Sequence, residues 1–192
     1  MNKPPSSNQL LCAVGENLVC AQLMARGWPC VNLNNSINNF KGIDLYCQHG
    51  LESTDIIGIQ IKTSAKSSFL VGLTNEEASD RALLNKKIIG PWIFVHIKTA
   101  DPLDVDYYVV PRQAVIDIIH EAHQWYLYQW KRPATPSLKE SPATIKLQWL
   151  QGWDDSSRES AIPFTNPHPG DIFRESWNKI WIQNDTSDDL ST

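Results

Sequence analysis

Two polar side chains, Gln60 and Lys62, interrupt an apolar strand pattern. Residues 56–63 read Ile-Ile-Gly-Ile-Gln-Ile-Lys-Thr, and a strand sends alternate side chains to opposite faces. The odd-numbered isoleucines therefore share a core-facing side, while Gln60 and Lys62 share the other side, where Gly58 leaves room for a close-approaching group. A lysine inside a strand is costly unless it meets an anion or a cleft. The equal alternative is an edge strand with a solvated polar face.

A second isolated charge among strand-forming residues is Asp44. If residues 43–47 and 56–63 pair as a hairpin, Asp44 comes alongside Gln60 and Lys62. A carboxylate beside a lysine and a glutamine carbonyl is able to hold a divalent cation together with a water. The alternative is a salt bridge between Asp44 and Lys62, which contributes little where it is exposed.

A third candidate, Glu16, lies on the first predicted helix, residues 8–26. Cys12 and Cys20 stand four residues to either side of it, on the same side of that helix. Two small apolar thiols around one acid indicate a partly buried carboxylate, which a metal ion would stabilise. The alternative is an acid near the start of the helix that the helix dipole favours.

Glu16, then Gly42-Ile43-Asp44, then Gln60-Ile61-Lys62, in this order, resemble the PD-(D/E)XK nuclease superfamily. The resemblance covers about residues 8–110. Within the superfamily, the chain resembles the branch that has a glutamate on the first helix and Gln-x-Lys in place of (Asp/Glu)-x-Lys. Its layout is similar to that of Mrr-like restriction endonucleases and archaeal Holliday junction resolvases. It implies a restriction-endonuclease-like fold of the α/β (α+β) class, in which helices flank a mixed central sheet.

The same resemblance implies hydrolysis of phosphodiester bonds in DNA with Mg²⁺ or Mn²⁺ as cofactor. Asp44 would bind the ion directly, the backbone carbonyl of Ile61 would supply another ligand, and Glu16 would add a carboxylate directly or through water. Lys62 would orient or deprotonate the attacking water, and Gln60 would contact the metal shell through its amide oxygen. In this chemistry the ion acts as a Lewis acid on the phosphate and as an activator of water.

Gln60 departs from the commonest pattern of the superfamily, because it removes one negative charge and weakens the hold on a metal. The alternative function is therefore a catalytically inactive module of the same fold that binds nucleic acid or protein. Lys41 and Lys66 flank the proposed site and are candidate phosphate contacts. The hydroxyl of Ser64 is a further candidate contact, or it merely forms the turn.

The remaining patterns surround these residues with strands and helices. Strands are predicted at 28–33, 43–47, 56–63, 69–73, 92–97 and 107–110, and helices at 8–26, 74–87, 111–130 and 171–183. A capping box from Thr74 to Glu77 opens the second helix, and Asp171 caps the last one. The nuclease-like domain is assigned to residues 8–130.

Composition bears on partners and location. The formal net charge of −4 over 192 residues excludes a globally basic nucleic-acid binder, but it leaves room for a local basic cleft. No apolar run approaches about 18 residues and the N-terminus has no signal-peptide pattern, so we expect no membrane segment and a cytoplasmic location.

The end of the chain differs from the rest in composition. Residues 131–184 are rich in Trp and Pro, and we expect them to pack as an irregular extension on the core or on a second copy. Two sites related by a two-fold axis suit a duplex substrate, which favours a homodimer; the alternative is a monomer whose extension covers the sheet. Residues 185–192 are predicted to be a disordered acidic tail.

Overall fold

A computed structural model describes residues 6–34, 42–128, 143–154 and 163–182 of the chain. The helices are α1 (Ser7–Ala25), α2 (Asn75–Ser79), α3 (Arg81–Lys87), α4 (Arg112–Tyr128) and α5 (Leu147–Leu150), with a 3₁₀ helix at Trp177–Trp181. The strands are β1 (Cys30–Asn32), β2 (Leu45–Gln48), β3 (Ile56–Ser64), β4 (Ser68–Leu70), β5 (Trp92–Ala100), β6 (Leu103–Val110) and β7 (Thr144–Lys146).

Five strands form one mixed sheet in the order β1-β2-β3-β5-β6. The pairs β1–β2, β2–β3 and β5–β6 are antiparallel, and β3–β5 is parallel. Parallel neighbours need a crossover connection, and here the crossover carries α2 and α3. A second sheet pairs β4 with β7. The mixed sheet with flanking helices that the sequence predicts is confirmed.

Helix α1 begins at a capping box. The Ser6 hydroxyl accepts a hydrogen bond from the Gln9 backbone N–H, and the Gln9 side chain accepts one from the Ser6 N–H. The helix ends at Ala25 with Arg26 as its C-cap, and Gly27 follows with a φ of +77°, a left-handed conformation that glycine adopts without strain. Both ends lie within a residue or two of the predicted bounds.

The two faces of the main sheet carry separate apolar clusters. One cluster joins α1 and the 3₁₀ helix to the sheet and includes Ile59 and Ile61. The other joins α2, α3, α4 and the β4–β7 pair to the opposite face, where Trp92 and Phe94 are buried. These two residues are the register partners of Gln60 and Lys62, so the polar pair lies on that second face. The alternation predicted for β3 is thereby confirmed.

The helix predicted at 74–87 is two helices. The capping box between Thr74 and Glu77 opens α2 as expected. The chain then becomes extended at Asp80, whose carboxylate accepts hydrogen bonds from the backbone N–H groups of Ala82 and Leu83. Asp80 therefore caps a new helix, α3. Aspartate is more favourable at the N-cap of a helix than inside one.

The helix predicted at 171–183 is wrong. The Phe173 carbonyl accepts from the Val109 N–H, and the Glu175 N–H donates to the Tyr107 carbonyl, so this segment bonds to the edge of β6. Glu175 has a φ of 51°, which is incompatible with a right-handed helix. Between Ser176 and Ile182, where the described residues end, a 3₁₀ helix forms at Trp177–Trp181.

The described parts of the C-terminal extension pack on the same core. β7 pairs with β4, Trp149 and Trp177 are buried in the two clusters, and Trp153 is 64% exposed. The predicted acidic tail at 185–192 lies outside the described residues. Within the described ranges, no helix has the length and apolar character needed to cross a membrane.

Candidate functional site

Asp44 stands at the start of β2, between β1 and β3. Its backbone N–H donates to the Ile59 carbonyl at 2.8 Å, and its carbonyl accepts from the Leu33 N–H at 2.9 Å. Its side chain is held as well, because Oδ2 accepts from the Ile61 backbone N–H at 2.6 Å and Oδ1 accepts from Asn34 Nδ2 at 3.1 Å. The carboxylate is therefore fixed against the middle of β3.

Glu16 reaches the same place from α1. Its Oε1 accepts from Asn34 Nδ2 at 2.9 Å, and its Oε2 accepts from Asn32 Nδ2 at 3.2 Å. Because Asn34 Nδ2 also contacts Asp44, the two carboxylate oxygens lie at most about 6 Å apart. Burial, together with repulsion from Asp44, raises the pKa of Glu16. The pair concentrates negative charge at a partly buried position.

Glu16 sits at the border of the buried stripe of α1. Cys12 is exposed, so of the two thiols that flank this half-buried acid along the helix, Cys12 lies in solvent. Cys20 is half-buried, and its sulfur contacts that of buried Cys30. The fully packed stripe of α1 runs one residue earlier in each turn, at Gly15, Val19 and Leu23.

Asn34, which connects the two acids, and Asn32, which bonds to Glu16, were not among the residues predicted from sequence. Asn32 is the last residue of β1 and only 7% exposed, and its Oδ1 accepts from the backbone N–H of Asn34 at 2.9 Å. A polar residue inside an apolar strand pattern is the signal that singled out Gln60, and it applies equally to Asn32. Asn34 carried no such signal, since it begins a polar loop.

Lys62 lies half-buried on β3 with its ammonium above the Trp92 ring, 5.1 Å from the ring centroid. Among the described residues it forms no salt bridge and no hydrogen bond through Nζ, so the expected alternative of a direct Asp44–Lys62 salt bridge is wrong. Burial lowers the pKa of Lys62, and the nearby charge of Asp44 opposes that shift. Lys62 is therefore a largely desolvated cation that bonds to no anion within the described ranges.

A pocket of about 810 Å³ brings these groups together. Asp44, Gln60 and Lys62 line it. Glu16 does not line the pocket, but it is linked to Asp44 through their shared hydrogen-bond donor, Asn34. The remaining lining residues are Gly42, Val71, Gly72, Leu73, Glu77, Lys86, Lys87, Ile89 and Trp92. The volume falls within the range of pockets that enclose small-molecule ligands, roughly 300–1,000 Å³.

Helix α3 adds positive charge to the pocket through Lys86 and Lys87, which sequence reasoning did not single out. Lys87 bonds to Glu77 at 2.9 Å, so Lys86 carries the surplus charge. α3 is held at both ends: Arg112 donates to carbonyls at its C-terminus, and Arg81 forms salt bridges with two acids of α4. Only the assembly of α3 against α4 positions these lysines.

Other residues named from sequence lie elsewhere. Ser64 is buried, and its hydroxyl bonds within the turn that follows β3, which matches the alternative reading of that residue. Lys66 is exposed and does not line the pocket. Lys41 lies outside the described residues. The space beside Gly58 is filled by the Ile43 side chain, since a Cβ on this glycine would lie 2.8 Å from Ile43 Cδ1.

The donor set of the site is composed of hard oxygen atoms. In the part of the chain that the structure describes, no group of three or more His, Cys, Asp or Glu side chains is arranged to hold a metal ion. Two carboxylates, with the Gln60 amide alongside, suit Mg²⁺, which binds through one or two carboxylates and keeps several waters. The residues present therefore fit such an ion, with water and substrate completing its shell.

No family model matches this sequence, and no curated protein is similar to it at a significant level. The chemistry of the site is therefore inferred from its own residues and geometry.

Proposed function

We propose that this chain is a metal-dependent endonuclease that hydrolyses phosphodiester bonds of DNA, with Mg²⁺ or Mn²⁺ as its cofactor. The observation that carries the proposal is the meeting of Asp44, Gln60 and Lys62 in one pocket, with Glu16 linked to Asp44 through a shared donor. A carboxylate pair and an amide oxygen are able to hold such an ion, and an ammonium beside them is able to offset charge that builds on the phosphate.

Glu16 and Asp44 would hold the ion, with the Gln60 amide oxygen and the Ile61 carbonyl as further oxygen ligands. When bound, the ion polarises the phosphate and lowers the pKa of water. Asp44 is oriented for this role by the Ile61 N–H, and Glu16 by Asn32. Both hydrogen bonds keep the carboxylates in place before the ion arrives, which reduces the cost of ordering them.

Lys62 has two compatible roles at the reacting phosphate. Its charge would offset the negative charge that builds on the phosphate oxygens, and its ammonium has no salt-bridge partner to displace within the described residues. Burial also lowers the pKa of Lys62, which moves the group toward accepting the proton of the attacking water. Trp92 supports the ammonium from below.

Lys86 would bind a second phosphate of the substrate strand at the rim of the same pocket. Lys87 is partly neutralised by Glu77, so the contribution of Lys86 to phosphate binding is the larger one.

The homodimer and the cytoplasmic location expected from the sequence belong to the same proposal. Two sites related by a two-fold axis in a homodimer would match the symmetry of a DNA duplex. Light scattering at micromolar concentration tests the dimer, and a mass that stays near 21.7 kDa contradicts it.

A catalytically inactive binding module is the second candidate, and one observation favours it. The two carboxylates are already satisfied by Asn32 and Asn34 without any cation, and Gln60 adds no charge. Such a protein would keep the basic pocket and bind nucleic acid without cutting it.

Incubation with plasmid, linear and branched DNA in Mg²⁺, Mn²⁺ or EDTA separates the two candidates. We expect cutting that requires the metal and is lost in both Asp44→Asn and Lys62→Met, while Lys66→Ala, a lysine outside the pocket, cuts like the wild type. DNA binding without cutting in any metal supports the inactive module. Cutting in EDTA, or cutting that survives both substitutions, contradicts the proposed site.

A further inference from the structure

Asn34 occupies the position between the two carboxylates of the site. Its Nδ2 is 2.9 Å from Glu16 Oε1 and 3.1 Å from Asp44 Oδ1, so one amide group satisfies an acceptor on each acid. Two carboxylates this close repel each other unless a donor or a cation lies between them. In the described structure the donor is the neutral NH₂ group of Asn34.

The opposite end of the same amide is unengaged. Asn34 Oδ1 accepts no hydrogen bond from the described residues, and the residue is only half-buried. Its backbone is anchored independently, because its N–H donates to Asn32 Oδ1 at 2.9 Å. Rotation of the amide by about 180° therefore exchanges nitrogen and oxygen and, among the described residues, breaks no hydrogen bond besides those to Glu16 and Asp44.

We infer that Asn34 is a metal ligand of this site and that its amide turns when the cation binds, presenting Oδ1 in place of Nδ2. The inference rests on the proposed function, whose ion lies between Glu16 and Asp44. With the oxygen turned inward and no cation present, three oxygen atoms would face one another, which is unfavourable. With the cation present, the NH₂ group is the wrong group and the oxygen is a suitable hard ligand. The amide thus has one stable orientation in each state.

This assignment compensates for the neutral residue at position 60. Gln60 offers an amide oxygen but no charge, and no third His, Cys, Asp or Glu of the described residues is placed with Glu16 and Asp44 to hold a metal ion. An asparagine oxygen adds a ligand without adding charge, so the site holds Mg²⁺ or Mn²⁺ weakly and through oxygen atoms. Asn32 has a different role, because both its amide groups are engaged, with Glu16 and with the Asn34 backbone. It is a positioning residue.

Titration of the metal-free protein with Mn²⁺, followed by the electron paramagnetic resonance signal of the free ion, tests the inference without any activity measurement. We expect Asn34→Ala to weaken Mn²⁺ binding by about tenfold or more, and Asn34→Asp to bind at least as tightly as the wild type. Asn17→Ala is the matched control, since Asn17 is exposed on α1 and bonds only within that helix. Thermal unfolding in EDTA establishes that each variant is folded.

The sign of the Asn34→Ala effect decides between a ligand and an obstacle. If the amide only blocks the site, its removal leaves Mn²⁺ binding unchanged or tighter, which overturns the inference. If the wild type binds Mn²⁺ and Asp44→Asn abolishes binding, but Asn34→Ala does not weaken it, the role of Asn34 is refuted while the proposed metal site stands. If the wild type binds no Mn²⁺, the inference fails together with the proposed metal-dependent function.

Discussion

Gly15 sets how closely α1 approaches β3, and the substitution Gly15→Ala tests whether that distance matters for the site. An alanine Cβ at this position would lie 1.8 Å from Thr63 Oγ1 and 2.9 Å from Thr63 Cβ and Cγ2. Favourable contact between such atoms begins near 3.5 Å, so α1 has to move outward by roughly 1.5 Å or more. The adjacent residue, Glu16, moves with it.

Two effects of opposite sign set the magnitude. Alanine gains up to about 1 kcal/mol over glycine inside a helix, and an overpacked core contact costs about 1–3 kcal/mol. The clash at Gly15 is severe, so we expect a net loss of about 1–2 kcal/mol in the free energy of unfolding. An outward movement of this size also stretches the 2.9 Å bond between Glu16 and Asn34 beyond hydrogen-bonding distance, which removes the carboxylate from Asp44.

Urea unfolding and Mn²⁺ titration measure the two consequences, and Thr63→Ala provides the second arm of a double-mutant cycle. Thr63 Oγ1 is buried without a hydrogen-bond partner within the described structure, so Thr63→Ala alone costs little. In the double variant the contacts with Thr63 Oγ1 and Cγ2 are gone, and the 2.9 Å contact with the Cβ of residue 63 remains. We expect partial recovery of both stability and Mn²⁺ affinity, with a coupling of about 1 kcal/mol.

The control for this cycle is Asn17→Ala, on the exposed side of α1, which we expect to leave Mn²⁺ binding unchanged. If Gly15→Ala is as stable as the wild type and binds Mn²⁺ equally well, the close packing of α1 on β3 does not position Glu16. If Gly15→Ala loses stability but keeps its Mn²⁺ affinity, the packing matters for stability but not for the metal site.

Three further predictions concern charge. Lys62→Met should raise the free energy of unfolding by roughly 1–2 kcal/mol in urea at neutral pH, because it removes a desolvated cation without a salt-bridge partner among the described residues; a loss of stability would contradict this. The raised pKa of Glu16 means that the metal-free native state binds its proton more readily than the unfolded state, so stability is lost as pH rises through that pKa. The difference in the free energy of unfolding between the wild type and Glu16→Gln, measured in urea across pH, isolates this contribution: it should fall as pH rises, and by less under saturating Mn²⁺, whereas a difference that does not change with pH would argue against it. Lys86→Ala should weaken DNA binding and lower the salt slope by about 1, measured by fluorescence anisotropy, whereas Lys66→Ala should change neither; equal effects would remove the pocket as the binding surface.

Much of the fold was predictable because local patterns dominate it. Alternation along β3 identified which residues share each face of the strand, apolar spacing located α1, and the capping box at Thr74 located the start of α2. The same local reasoning failed where tertiary bonds compete with helix formation. Residues 173–175 bond to β6 instead of starting a helix, and Asp80 caps a new helix within a continuous helical pattern.

The sequence by itself determined the residue types of the candidate site and their order, since Glu16, Asp44, Gln60 and Lys62 each interrupt an apolar pattern at a charge or an amide. Only the tertiary structure decided what stands between and around them. The Asn34 amide comes between the two acids through the end of β1, and Lys86 reaches the pocket through the packing of α3 on α4. Asn34 begins a polar loop, and Lys86 lies far from the other site residues along the chain, so no local periodicity marks either residue. Their contribution depends on distances that exist only after the sheet and its crossover have assembled.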